Sequence, residues 1–193
     1  MTEADVDQEA ALKQKARDYL RARGTLAAPD AIREQVAAAF GTLDTVLTGV
    51  TAERAARSTI AGEWSVQEIV DHLVETHRPG LDELRCLLAG RRPPGEPIPA
   101  ALQSKAPLLR PWAGLLAELR RVHGEIVAAL GAVAPDFETA ARAPLVMVVN
   151  VPAGDGRIRP AHWVEELDWK AYAITWRLHT LDHLAQARKV LAA

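Results

Sequence analysis

The sequence predicts an all-α protein, a four-helix bundle with an N-terminal helical extension and a short extended or hairpin segment before the last helix. Three observations carry that reading. Ala and Leu recur at spacings of three and four residues, β-branched runs are scarce, and Ser, Pro and Gly punctuate four long periodic segments at the places where helices start and stop. The 193 residues suffice for one domain with a hydrophobic core. We divide them into an extension over 1–24 and a bundle core over 29–193.

Taken in order, Thr2 to Arg23 reads as the first helix, with Thr2 as N-cap and Gly24 just past its end. Its apolar positions Leu12, Ala16, Tyr19 and Leu20 form only a narrow stripe. Pro29 and Asp30 open a stronger helix, in which Ile32, Val36, Ala39, Phe40, Leu43 and Leu47 fall on one side. In "EWSVQEIVDHLVETHRPG" a capping box, Ser65 with Glu68, sets a helix start near Val66. That helix continues through "LDELRCLLAG" if Pro79 and Gly80 only kink it. "GRRPPGEPIPA" is a surface connector, and Pro111 suits the first turn of "WAGLLAELRRVHGEIVAAL", which Gly131 closes. "APLVMVVNVPAGDGRIRP" joins a β-branched run to the turn "AGDG", and a final helix is expected from His162 or Trp163 to Val190.

Composition excludes several classes of function. The formal net charge of -2 offers no positive field for a nucleic acid, and no run of apolar residues is long enough to span a membrane. The single cysteine, Cys86, can form no internal disulfide, and the acidic, polar N-terminus lacks the features of a signal peptide, so a cytoplasmic protein is expected. We read Cys86 as a packed, inert thiol.

Chemistry concentrates in "TWRLHTLDHLAQAR". His179 and His183 are four residues apart, so on a helix they project from one face and can share an ion. Trp176, Leu184 and Ala187 beside them point that face into the bundle, where an unpartnered imidazole nitrogen costs about 1 to 3 kcal/mol. His72, bordered by Ile69 and Leu73, is the best third imidazole, giving three nitrogens that suit Zn²⁺, Ni²⁺ or Fe²⁺ and leave positions open. The plainer reading makes each a core histidine held by a hydrogen bond.

"GEWSVQEIVDHLVE", followed about a hundred residues later by "HTLDHLAQ", resembles the DinB/YfiT-like superfamily of damage-inducible and thiol-transferase bundles. Its pattern is a Trp-Ser-aliphatic helix start leading to a His-Leu pair, then H-x-x-x-H-x-x-Q on the last helix. The resemblance implies a four-helix bundle in which His72, His179 and His183 bind a divalent metal. It further implies an enzyme using a low-molecular-weight thiol such as mycothiol or bacillithiol, as an S-transferase or thiol-dependent isomerase acting on a small electrophile. The segment from Thr2 to Arg23 and the region from Met147 to Pro160 depart from the family core, and substrate choice is expected to reside in the second.

Around the three histidines, Glu75 reads as a fourth ligand, a hydrogen-bond acceptor from imidazole, a proton carrier, or a solvated carboxylate. Gln186 is placed to steady a ligand or substrate, or is simply exposed. Asp71 and Asp182 point about 100° away from their neighbouring ligands. Trp64 reads as a staple for the helix start first and a pocket wall second. His77, rotated by about 140° from His72, and His123, beside Arg120 and Arg121, are expected at the surface or in caps, and His162 at the pocket mouth. The function is therefore either a thiol-using metalloenzyme or a non-catalytic metal- or ligand-binding stress-response bundle, with a purely structural bundle as a third reading. The amphipathic first helix is a candidate cover for a second copy in a homodimer.

Overall fold

A computed structural model describes residues 3–152 and 158–193. Its elements are α1 (Glu3–Leu20), α2 (Pro29–Leu47), α3 (Ala52–Ala56), α4 (Val66–Leu88), α5 (Trp112–Gly131), β1 (Ala143–Pro152), β2 (Ile158–Leu167) and α6 (Trp169–Ala192). The bundle is built from α2, α4, α5 and α6. Both α2 and α4 pack on α5 and on α6, so α2 and α4 occupy opposite corners and helices consecutive in the chain are not always neighbours in space.

Local chemistry explains the boundaries. Ser65 Oγ accepts from the Glu68 backbone N–H, and Glu68 Oε2 accepts from the Ser65 N–H at 2.7 Å, so the capping box forms as the sequence predicts. Pro79 lies inside α4 without ending it, and the helix runs unbroken to Leu88. Asp168 caps α6, its Oδ1 accepting from the N–H groups of Lys170 and Ala171 at 3.0 and 2.9 Å. After Leu20 the chain widens into a π turn, Arg21–Thr25. Gly24 sits there because a Cβ would lie 2.6 Å from the Ala171 Cα of α6, closer than any side chain tolerates.

Two corrections follow. The all-α reading is only approximate, for the hairpin expected before the last helix forms as two antiparallel strands of ten residues each, β1 and β2, registered from Ala143 opposite Leu167 to Pro152 opposite Ile158. The last helix accordingly starts at Trp169, not His162 or Trp163, because β1 holds the whole of 158–167 as its partner strand and the Asp168 cap fixes what comes next. The expected turn "AGDG" and the Thr2 cap lie outside the described residues. One hairpin face packs on α1, through Arg17 to Glu165 at 2.8 Å, Arg159 to Glu9 at 2.6 Å, and Lys13 and Arg17 over Trp163. No described helix is long and apolar enough to cross a membrane.

The core divides in two. One apolar cluster gathers Ile32, Val36, Phe40, Leu84, Ile126, Tyr172 and Trp176, and the other Leu43, Leu47, Val70, Leu73, Leu115, Leu119 and Leu184. On α4 and α6 the boundary between the clusters is where His77 and His179 occur, and on α5 His123 lies just past it, beside Val122. A band of imidazoles therefore crosses the bundle between two hydrocarbon halves.

Candidate metal centre

The capping box fixes where α4 begins, and six residues further on the helix delivers His72 into the interior, 1% exposed. From α6 come His179 and His183, one turn apart, His183 at 6% exposure. The three rings converge through their Nε2 atoms: His179 Nε2 lies 2.9 Å from His72 Nε2 and 3.0 Å from His183 Nε2. Among the described residues these three form a group whose ligand atoms all lie within 4.8 Å of one another. Nitrogens bound at about 2.0–2.1 Å to one ion stand roughly 2.9 to 3.4 Å apart, so the observed spacings fit a shared divalent ion.

Each outer nitrogen of the triad is also engaged. His72 Nδ1 donates to the Leu102 carbonyl at 2.7 Å, and His183 Nδ1 donates to Gln186 Oε1 at 2.8 Å. Because these oxygens accept, the proton of each neutral ring sits on Nδ1 and its Nε2 carries a lone pair directed at the centre. Burial, then the neighbouring His183, pushes His72 down to about 4, the Leu102 bond opposing this. Burial likewise holds His179 well below the ordinary histidine range, with His183 and His72 adding to it, and lowers His183 against the opposing bond from Gln186. All three are neutral at pH 7, the form that ligates metal.

The Leu102 carbonyl is held in place by Asp71, which has no exposed surface. Its Oδ2 accepts from the Ser104 N–H at 2.8 Å, and its Oδ1 accepts from Ser104 Oγ at 2.8 Å and Arg110 Nη1 at 2.7 Å. Gln67 donates to the carbonyls of Pro107 and Arg110, both at 2.9 Å, and Gln103 donates to the Glu68 carbonyl at 3.1 Å. Thus the connector after α4 is stitched back onto it beside His72. Trp64 covers the same rings, 5.1 Å from His72 and stacked at 14° on His183, 6.1 Å away. It is a wall of the centre as well as a staple against the Ile69 cluster.

Of the accessory residues, Gln186 meets His183 as described. The Glu75 carboxylate is gripped by Arg78 Nη2 at 2.7 and 2.8 Å and by Arg110 Nη1 at 3.1 Å, and it is not in the converging group. Asp182 is exposed, and Cys86 is a half-buried free thiol. His162 lies on β2 opposite Val148 and is exposed.

His77 and His123 correct the expectation of surface roles, at 1% and 7% exposure. His77 Nε2 is 3.0 Å from His179 Nδ1, His77 Nδ1 is 3.1 Å from His123 Nε2, and His123 stacks on Phe40 at 3.6 Å and 5°. A signal for both was present. His77 is four residues from Leu73 and from Leu81, and His123 is four from Leu119 and three from Ile126, so each lies on its helix's apolar stripe.

The model of the DinB superfamily matches residues 35–187, and the chain belongs to that superfamily. Among solved structures it is similar to YfiT from Bacillus subtilis, described as a probable metal-dependent hydrolase with an unusual four-helix bundle topology. The two superpose with a TM-score of 0.60 at 18% identity over 84% of this chain and 85% of that one, a likeness of fold. No curated protein matches in sequence.

Proposed function

We propose that the protein is a metal-dependent enzyme that uses a low-molecular-weight thiol of the mycothiol or bacillithiol kind to attack a small electrophile, as an S-transferase or thiol-dependent isomerase. His72, His179 and His183 would hold Zn²⁺, Ni²⁺ or Fe²⁺ through Nε2. The observation that carries this is the convergence of three neutral imidazoles with no carboxylate or thiolate in the group. Such a ligand set leaves the full charge of the ion uncompensated and positions open for an anionic partner. When bound, the ion supplies the Lewis acidity that makes a thiol or a water nucleophilic at neutral pH.

The chain's own groups orient and enclose. Leu102 and Gln186 fix two of the ligand rings, Trp64 shields them from water, and Arg110, shared with Glu75 and Glu118, sits against Asp71. Substrate choice is assigned to the segment from Met147 to Pro160. We place the protein in the cytoplasm, with a homodimer as its expected state.

The likeness to YfiT supports a second reading, in which water replaces the thiol and the reaction is hydrolytic. Elemental analysis of protein purified without a histidine tag comes first, then binding and turnover assays with mycothiol, bacillithiol and glutathione. Thiol-dependent loss of an electrophile only in metal-loaded protein supports the proposal. Hydrolysis without thiol supports the second reading, metal without turnover leaves a binding module, and no metal overturns all three.

A further inference from the structure

We propose that His77 and His123 are positioning residues that set the proton on His179, so that three imidazoles in series change tautomer together when the triad takes up a divalent ion. This rests on the metal reading above. It starts from a count of protons. His72 and His183 each spend their single ring proton on an oxygen, Leu102 O and Gln186 Oε1, so both present bare Nε2 atoms to His179. Without a cation, three bare nitrogens with two spacings of 2.9 and 3.0 Å would repel, so His179 carries its proton on Nε2 and donates into the triad. Its Nδ1 then accepts from His77 Nε2–H at 3.0 Å, and His77 Nδ1 accepts from His123 Nε2–H at 3.1 Å.

A cation at the centre reverses every bond in that series. His179 must offer a lone pair at Nε2, so it releases that proton and takes the proton of His77 Nε2–H onto its own Nδ1, which then donates back to His77 Nε2. His77 in turn carries its proton on Nδ1 and donates to His123 Nε2, leaving His123 with Nδ1–H. One proton leaves at the triad and one is taken up at His123 Nδ1, so no ring changes charge. The outer end is open to that exchange. Thr180 Oγ1 is the only buried side-chain nitrogen or oxygen without a partner among the described residues, so the unpaired His123 Nδ1 lies where solvent touches its 7% exposed ring. Phe40, stacked flat on the other face of the series, holds the ring in plane without competing for its protons.

The test uses the full chain with ¹⁵N-labelled histidine, metal-free and then loaded with Zn²⁺ alone. The ring nitrogen shifts of His77 and His123, neither of them a ligand, are expected to switch from Nε2–H to Nδ1–H on loading. Chelator competition is expected to show His77→Leu binding Zn²⁺ about 10- to 100-fold more weakly, and His123→Leu less than about tenfold more weakly. His77→Gln, whose amide oxygen can accept from His179 Nδ1–H, is expected to recover most of the affinity, which a loss of packing alone would not predict. Unchanged tautomers at His77 and His123, or undiminished affinity in His77→Leu, overturn the proposal while the triad stands. A wild-type chain that binds no Zn²⁺ overturns the metal reading and this proposal together. Should His77→Leu fail to fold, the wild-type spectra still decide.

Discussion

Two layers of histidine meet at His179, and they are anchored in opposite ways. On one side His72 and His183 end in oxygen acceptors, a backbone carbonyl and a glutamine, so their proton positions are dictated by the fold. On the other side His77 and His123 end against the face of Phe40, which takes no hydrogen from either ring nitrogen. The first layer is locked and the second is reversible. On the metal reading proposed above, the bundle would present two fixed rings while the third answers to what is bound, with the polar band enclosed by apolar packing on both sides.

The sharpest way to break the contrast is to remove the residue both layers share. In His179→Ala we expect metal content of untagged protein to fall to background by elemental analysis, because the remaining two imidazoles come from different helices without their common neighbour. His72→Ala should do the same. If His72→Ala retains full metal, the ligand assignment is wrong.

Next in size is acid sensitivity of the metal-free chain. Burial lowers His72 to about 4 and His123 to about 3, and lowers His77, His179 and His183 as well. Unfolded, each titrates near 6.5. Between those values the unfolded chain binds protons that the folded one refuses, so stability is full above about pH 6.5 and falls as pH drops toward 4. Each fully differential histidine contributes up to about 1.4 kcal/mol per pH unit. Urea midpoints should be flat from pH 8 to 7 and fall steeply from 6.5 to 5, above the carboxylate range. Saturating metal should move the fall to lower pH, since it too favours the neutral rings.

A smaller effect should separate the layers. Asp71→Ala removes a buried carboxylate, leaves the Ser104 N–H and Oγ without their acceptor and takes from Arg110 one of its three carboxylates, at a cost of about 3 kcal/mol. We place this at the low end of such losses because Arg110 keeps partial contact with water. The freed Leu102 carbonyl then no longer fixes His72, so metal affinity falls, while the His77 and His123 resonances of the metal-free protein stay in place. If those resonances shift as much as that of His72, the layers are not independent.

How much of this was legible depends on whether a signal was local. The capping box of Ser65 and Glu68 and the one-turn spacing of His179 and His183 are short-range relations, and the structure forms both. The pairing of 158–167 is not local: "IRPAHWVEEL" lacks clean alternation, and only the partner strand and the Asp168 cap make it a strand. His77 was misjudged for a different reason. An angle measured from His72 predicts exposure only if one arc of a helix is buried, whereas α4 buries Asp71, His72, Leu73, Val74, Thr76 and His77 in near-continuous sequence beneath α5, α6 and the returning connector. Asp71 was passed over by the same logic. Its partners Ser104 and Arg110 come from the proline-rich side of the chain, where sequence gives no register.

The smallest expected effect bears on whether the ligand set is open. Glu75 follows His72 by three residues and would close the coordination if its carboxylate swung inward, turning an open site into a structural one. It is held the other way, by Arg78 and Arg110, which also share Glu118. Glu75→Gln removes one charge from that network while Arg110 keeps Asp71 and Glu118. The cost in stability should be about 1 kcal/mol or less, as for a partly exposed ion pair, with metal affinity unchanged within error. A tenfold loss of Zn²⁺ affinity in Glu75→Gln would mean that the carboxylate leaves its arginines when the ion arrives. Only three of the ion's positions would then be supplied by imidazole, and the room for a thiol or a water would shrink by one.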